Sequence, residues 1–270
     1  MASIPLRARA ALSLAAVLAL AGGPAAQSLG VVTFESPPLM GPSKLSPEGL
    51  EVELMKAAFK ASSLDCAIDY LPQARAASMF RAGDYTLLLG TRAFFPDFAA
   101  ETEGYPLITL RTILFYRKSL LPGFAWKGYA DLKPYTIALI LGGASEKIAK
   151  AEGLSIDTSN DQPTEFRKLE AGRVDLALGT DLGGRLIIED LFPGEAQLFA
   201  ADEEHPFMSL AGELVMKRSE PGFAALDAKI RAGIKAIYRS GEWLRIIEKY
   251  YGKGRVPLDA VKLLSDFCAK

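Results

Sequence analysis

The chain has 270 residues, half of them hydrophobic and 23% charged, with a net charge of −1. That length suits one large domain or two lobes of ordinary size, and the composition is that of a folded globular protein. The near-neutral balance argues against a nucleic-acid partner, which would call for a basic patch, and a single histidine with two distant cysteines offers no metal cluster and no nucleophilic triad.

Met1–Ala26 is set aside as a secretory signal peptide. Arg7 and Arg9 give a basic start, Ala10–Ala21 an apolar run, and Gly22–Ala26 a small-residue end. The apolar run is too short to span a bilayer. Cleavage is expected after Ala25 or Ala26, and with no cysteine nearby no lipid anchor is evident. Losing Arg7 and Arg9 and no acid moves the net charge from −1 to −3. The expected product is an exported protein without a membrane span. Export makes a disulfide between Cys66 and Cys268 chemically possible. One buried thiol and one tail thiol fit the sequence equally well.

Leu29–Thr33 reads as a short strand, broken by Phe34-Glu35-Ser36-Pro37-Pro38. Val52, Met55 and Phe59 give the 3.6-residue stripe of a helix packed on a sheet, with Glu51 and Glu53 read as helix-face charges rather than ligands. Cys66–Leu71 reads as a strand, Ala74–Ala82 as a helix and Thr86–Gly90 as a third strand. This order implies a parallel sheet with helices on its faces. Leu107–Tyr116 is a long apolar segment ending in Arg117-Lys118-Ser119, after which the pattern restarts. Tyr129–Lys133 is a helical turn and Thr136–Leu141 a strand. Gly142-Gly143 then leads into a helix over Ser145–Glu152 with Ser145 as its N-cap. In Thr164–Asp181, a helix stops at Ala171-Gly172, where glycine accepts a left-handed backbone, and Val174–Leu178 is the following strand. Asp181–Leu191 is another helix. Ser209–Met216 is a second long apolar strand, again with a basic-Ser tail, Lys217-Arg218-Ser219. Two amphipathic helices follow, marked by Phe223 to Ile237 and by Trp243 to Tyr250, with Gly241 between them.

One unit occurs twice. Met79–Thr91 and Lys168–Thr180 share six of thirteen positions, and the residue after each copy is Arg92 in the first and Asp181 in the second. Ligands in open α/β sheets sit beyond the carboxyl ends of strands. A cation ending one strand and an anion ending its counterpart could therefore grip a zwitterion. The two long strands read as crossings between lobes. The second lobe, 119–206, is inserted into the first, 27–118 and 207–270, and two crossings allow closure about a hinge.

In this order and spacing, GLEVELMKAAFK, LPQARAASMFRAGDYTLLLGT, KGYADLK, LEAGRVDLALGTD and SGEWLRIIEKYYG resemble the periplasmic solute-binding proteins of ABC transporters, polar amino-acid family (family 3). The resemblance covers nearly the whole exported chain. It implies a type 2 periplasmic-binding-protein (Venus-flytrap) fold of two α/β lobes, a periplasmic location, a membrane permease as partner, no cofactor, no catalysis and a monomer. It further implies an arginine of the first lobe on a ligand carboxylate, a second-lobe helix N-terminus assisting, and a strand-end acid on an α-amine. Carried onto this chain, those roles fall to Arg92 with Thr91, to Ser145 and to Asp181. Arg92 follows Thr91 directly, where the family separates its threonine and arginine by two residues. Arg75, at a helix start, and Phe34, at the end of the first strand, complete the candidate set.

Each candidate has a plainer reading: a helix cap for Asp181 and Ser145, a solvated charge for Arg92 and Arg75, a core ring for Phe34. His205, in an acidic Pro-flanked loop, is read as a loop histidine. Two other functions share the scaffold. A dehydratase-like periplasmic enzyme would need a converging acid–base pair that the sequence does not show. A ligand-sensing module would carry a further domain or membrane helix, and the sequence runs to Lys270.

Overall fold

A computed structural model describes residues 28–94 and 98–270. The expected signal peptide lies outside the described residues. Nine strands are connected in one sheet: β1 (Leu29–Thr33), β2 (Cys66–Tyr70), β3 (Leu87–Gly90), β4 (Thr102–Arg117), β5 (Thr136–Ile140), β6 (Ser155–Ser159), β7 (Leu176–Thr180), β8 (Phe199–Asp202) and β9 (Met208–Lys217). Their order is β2-β1-β3-β9-β4-β7-β5-β6, with β8 also on β4. The helices are α1 (Leu50–Ala61), α2 (Gln73–Ala82), α3 (Ala144–Ala151), α4 (Gln162–Glu170), α5 (Asp181–Leu191), α6 (Phe223–Arg239), α7 (Glu242–Tyr251) and α8 (Leu258–Ala269).

The fold is the expected two-lobed α/β arrangement with one lobe inserted into the other. β4 and β9 are the two crossings, antiparallel from Thr102↔Lys217 to Thr112↔Met208, with a bulge between Pro106 and Ile108. In the first lobe, β1, β2 and β3 are parallel and β3 joins β9. In the second, β5, β6 and β7 are parallel and β7 joins β4. The repeated unit thus borders opposite strands of the linking pair.

The first lobe's main core packs α1, α6, α7 and α8 on one sheet face, through Leu54, Met55, Ile234, Trp243, Ile247 and Leu264. Trp243 Nε1 donates to the carbonyl of Leu107 at 2.8 Å, which ties α7 to the crossing. Val32, Ala76, Phe80 and Leu88 form the core on the α2 face. The second lobe has a core of Leu114, Trp126, Leu139 and Phe207 on one face. On the other, Phe115 and Phe166 meet edge to face at 5.2 Å, under α4 and α5.

Several expectations need correction. The cap of α3 is Gly143, and Ser145 lies inside the first turn. The strand expected at Val174–Leu178 runs Leu176–Thr180. The helical turn expected at Tyr129–Lys133 is present, as a 3-10 turn over Tyr129–Leu132. Glu51, read as a helix-face charge, is fully buried. It stands three, four and seven residues before Leu54, Met55 and Ala58, on the same helical stripe. β6, β8 and α8 had no sequence expectation. Cys66 and Cys268 are half-buried free thiols. No helix among the described residues is long and apolar enough to cross a membrane.

The helix stops of the repeat are as read: Gly83 and Gly172 have φ of 95° and 66°. Gly233 in α6 has a different role. A Cβ there would lie 2.1 Å from the carbonyl oxygen of Ala58, so α6 and α1 touch backbone to backbone. In an open helix, Gly→Ala would gain about 1 kcal/mol of helix propensity. At this contact the overpacking cost of about 1–3 kcal/mol should outweigh it. Gly233→Ala is therefore expected to lower the thermal midpoint, and an unchanged or raised midpoint would show that α1 and α6 are not in contact here.

Candidate ligand site between the lobes

A cavity of about 1000 Å³ lies where α5 of the second lobe faces the C-terminal end of α7 and the 254–259 segment leading into α8. Cations Arg111, Arg185 and Arg255 and anions Asp181, Glu189, Glu203, Glu204 and Asp259 line it, with Tyr250 and Tyr251.

Asp181 is its most enclosed acid. β7 ends at Thr180, whose side chain caps α5 by accepting from the Gly183 N–H at 3.1 Å. Asp181 becomes the first residue of α5 and is 6% exposed. Its carboxylate accepts from Tyr251 Oη at 3.0 and 3.1 Å and from the Leu182 N–H at 2.8 Å, and lies 3.7 Å from Arg111 Nη1. Arg111 stands on β4. Its Nε is 3.4 Å from the Asp259 carboxylate, and its Nη2 donates to the Glu203 carbonyl. Burial pushes the Asp181 carboxyl up to about 6, with Tyr251, the Leu182 N–H and Arg111 pulling the other way. Burial, then the Asp181 charge, raises Tyr251 well above the usual phenol value.

This face of the second lobe rests on the first. Leu182 packs into the first lobe's core, and Lys44 pairs with Glu189. A Cβ at Gly183 would lie 3.5 Å from the Pro37 carbonyl oxygen.

The other five candidates do not line this cavity. Arg92 begins a 3-10 turn after β3 and is held by Glu213 of β9. Its backbone N–H and Nε donate to Oε2 at 3.2 Å each, and its Nη2 donates to Oε1 at 3.0 Å. These bonds raise its pKa further. Thr91 is buried, and its Oγ1 accepts from the Ala93 N–H at 3.2 Å. Phe34 packs over Gly90, where a Cβ would lie 3.4 Å from its Cε1. Ser145 Oγ meets Met208 Sδ at 3.4 Å. Arg75 is exposed in the first turn of α2. Arg92 and Asp181 are separated because β3 borders β9 and β7 borders β4; each charge is taken by the crossing strand it adjoins.

Arg111 and Tyr251 had no sequence expectation. Arg111 had a signal, as the lone charge within the apolar run Leu107–Tyr116. Tyr251, seventy residues from its partner Asp181, had none. His205 Nδ1 lies 3.4 Å from Asp202 in its loop. Among the described residues no cluster could hold a metal.

No protein-family model matches the sequence, and neither does any curated protein. Solved structures match its fold. An arginine-, lysine-, histidine-binding protein of the thermophilic bacterium Geobacillus stearothermophilus is 17% identical over 88% of this chain and 100% of its own, with a TM-score of 0.64. The unliganded, open L-cystine solute receptor of Neisseria gonorrhoeae is 16% identical over 85% and 95%, TM-score 0.64. A histidine kinase sensor domain similar to periplasmic binding proteins is 18% identical over 84% and 96%, TM-score 0.64. At these identities the likeness is one of fold.

Because the Asp181 carboxyl rises from 3.8 to about 6 on folding, its neutral form favours the folded state. That contribution is full below about 3.8 and is lost as pH rises through about 6. Tyr251→Phe removes a hydrogen bond to a charged acceptor, worth about 1.5–3 kcal/mol. Its cost in denaturant unfolding should be larger at pH 8, where Asp181 is ionised, than at pH 4. An equal cost at both would show that the phenol does not serve the carboxylate.

Proposed function

We propose that the protein captures a small polar solute, an amino acid or related zwitterion, between its lobes and delivers it to the membrane permease of an ABC importer. The observation that carries this reading is the interlobe cavity, lined by charge of both signs, with Asp181 buried, and walled by both lobes around a two-strand joint. Such a joint allows closure around a solute. Proteins with the same fold bind arginine, lysine, histidine or cystine by name. The basic, apolar, small-residue start at Met1–Ala26 supports secretion to the periplasm with 1–26 removed. The lobes on this reading are 27–118 with 207–270, and 119–206. The protein works as a monomer, without a cofactor and without turnover.

In the cavity, Asp181 takes the ammonium and Arg111, the cation beside it, takes the carboxylate. Charge-assisted hydrogen bonds of this kind are the strong ones. A zwitterion lying between the two would replace their mutual 3.7 Å contact with one partner each. The strand-end group of Arg92, Thr91, Ser145, Arg75 and Phe34 is a second place for the solute. There Arg92 would first have to leave Glu213, and the N-terminus of α3 would offer N–H donors. A sensing role would use the same capture step, and one protein of this fold is a kinase sensor domain.

Ligand that binds only the folded state raises stability by about 2.7 kcal/mol at one hundred times Kd. A thermal-shift screen over amino acids should therefore find a ligand. With that ligand, Asp181→Ala should weaken binding by roughly 2–5 kcal/mol, and Arg92→Ala should leave it nearly unchanged. Loss with Arg92→Ala alone would move the solute to the strand ends. Chemical conversion of the ligand by catalytic amounts of protein would overturn the binding reading.

A further inference from the structure

The function above makes no use of Glu51. It is the second residue of α1 and is fully buried, and among the described residues neither carboxyl oxygen has a hydrogen-bond partner. Its backbone is pinned, with the N–H donating to the Leu39 carbonyl at 2.9 Å. Its side chain reaches the crossing strands. A Cβ at Gly212 of β9 would lie 2.9 Å from Glu51 Oε2 and 3.0 Å from Ile108 Cγ2 of β4. Gly212 pairs with Ile108 at the first rung beyond the bulge. A buried acid therefore presses on the joint where its ladder is irregular.

We propose that Glu51 is a proton-operated latch on this joint: neutral, it lets β9 lie flush on α1 with the lobes together; ionised, it draws water between α1 and β9 and favours the lobes apart.

The charges around it point the same way. Glu213, next after Gly212 on β9, is turned to the other sheet face and held there by Arg92, and its like charge acts on Glu51 through space. β4 presents the apolar Ile108. On its own helix, Glu53 is turned to Ser46, Lys249 and Tyr250. On α6, Asp227 and Arg231 are engaged with each other, Tyr105 and Glu103. No cation is thus turned to Glu51 among these groups. An ionised carboxylate without a partner in such a place costs several kcal/mol. It either stays protonated or gains water by loosening the contact. Burial first, and Glu213 second, push it up to about 8. Raised above its ordinary 4.5, Glu51 favours the packed joint below that value and ceases to do so as pH rises through about 8.

The test is small-angle X-ray scattering of the ligand-free protein from about pH 6 to about pH 10. Far-UV circular dichroism at each pH establishes that the chain stays folded. The wild type should expand, its radius of gyration rising with a midpoint near 8. Glu51→Gln, which keeps the shape and cannot ionise, should stay compact over the whole range. Glu213→Gln, which removes the like charge, should move the wild-type midpoint to lower pH. It gives a second reading that does not depend on the Glu51 variant folding. No expansion in the wild type, the same expansion in Glu51→Gln, or an unmoved midpoint in Glu213→Gln would each overturn the proposal.

Discussion

The antiparallel ladder between β4 and β9 carries the rest of the molecule. Among the described residues, each lobe's parallel strands connect to the other lobe's through it. β3 hangs on β9 and β7 on β4. The placement of Arg92 and Asp181 follows. Arg92, ending β3, falls to Glu213 of β9; Asp181, beyond β7, falls to Arg111 of β4 and to Tyr251 of α7. Two copies of one local unit thus end in two different electrostatic settings.

Such buried charges are poor sources of stability. The desolvation of each partner offsets much of the attraction, whereas removing one partner is costly. Their effect here is to fix geometry. The Asp181 network binds the start of α5 to the first lobe, and Leu182, the next residue, is seated in that lobe's core. Apolar seating and a polar tie therefore act at one point of contact. Glu51 differs in having no hydrogen-bond partner among the described residues, so its protonation state acts on the contact between α1 and the crossing strands.

Much of this was legible in the chain. Parallel strands, the Gly stops, the two long crossings and the return of α6 and α7 to the first lobe all rest on local periodicity, which a single sequence displays. β6, read as Ser-Ile-Asp-Thr-Ser, was missed because an edge strand with one apolar residue has no alternation to detect. α8 had a usable signal, Ala260, Leu264 and Phe267 at four- and three-residue steps. Serine favours the cap position, which points to Ser145, yet the glycine before Ala144 holds that place. The site was less legible than the fold. Which crossing strand each half of the repeat borders is a matter of sheet order, and no spacing within thirteen residues encodes it. Glu51 could have been recognised as buried from its place on the stripe of Leu54, Met55 and Ala58.

The central claim is that a small zwitterion is held between the lobes. Native mass spectrometry of freshly purified protein, followed by denaturation and identification of what is released, tests it most directly. One small molecule bearing an ammonium and a carboxylate is expected, bound one to one and lost from Asp181→Ala. Protein that stays at its unliganded mass in the presence of every amino acid, with the fold intact, would contradict it.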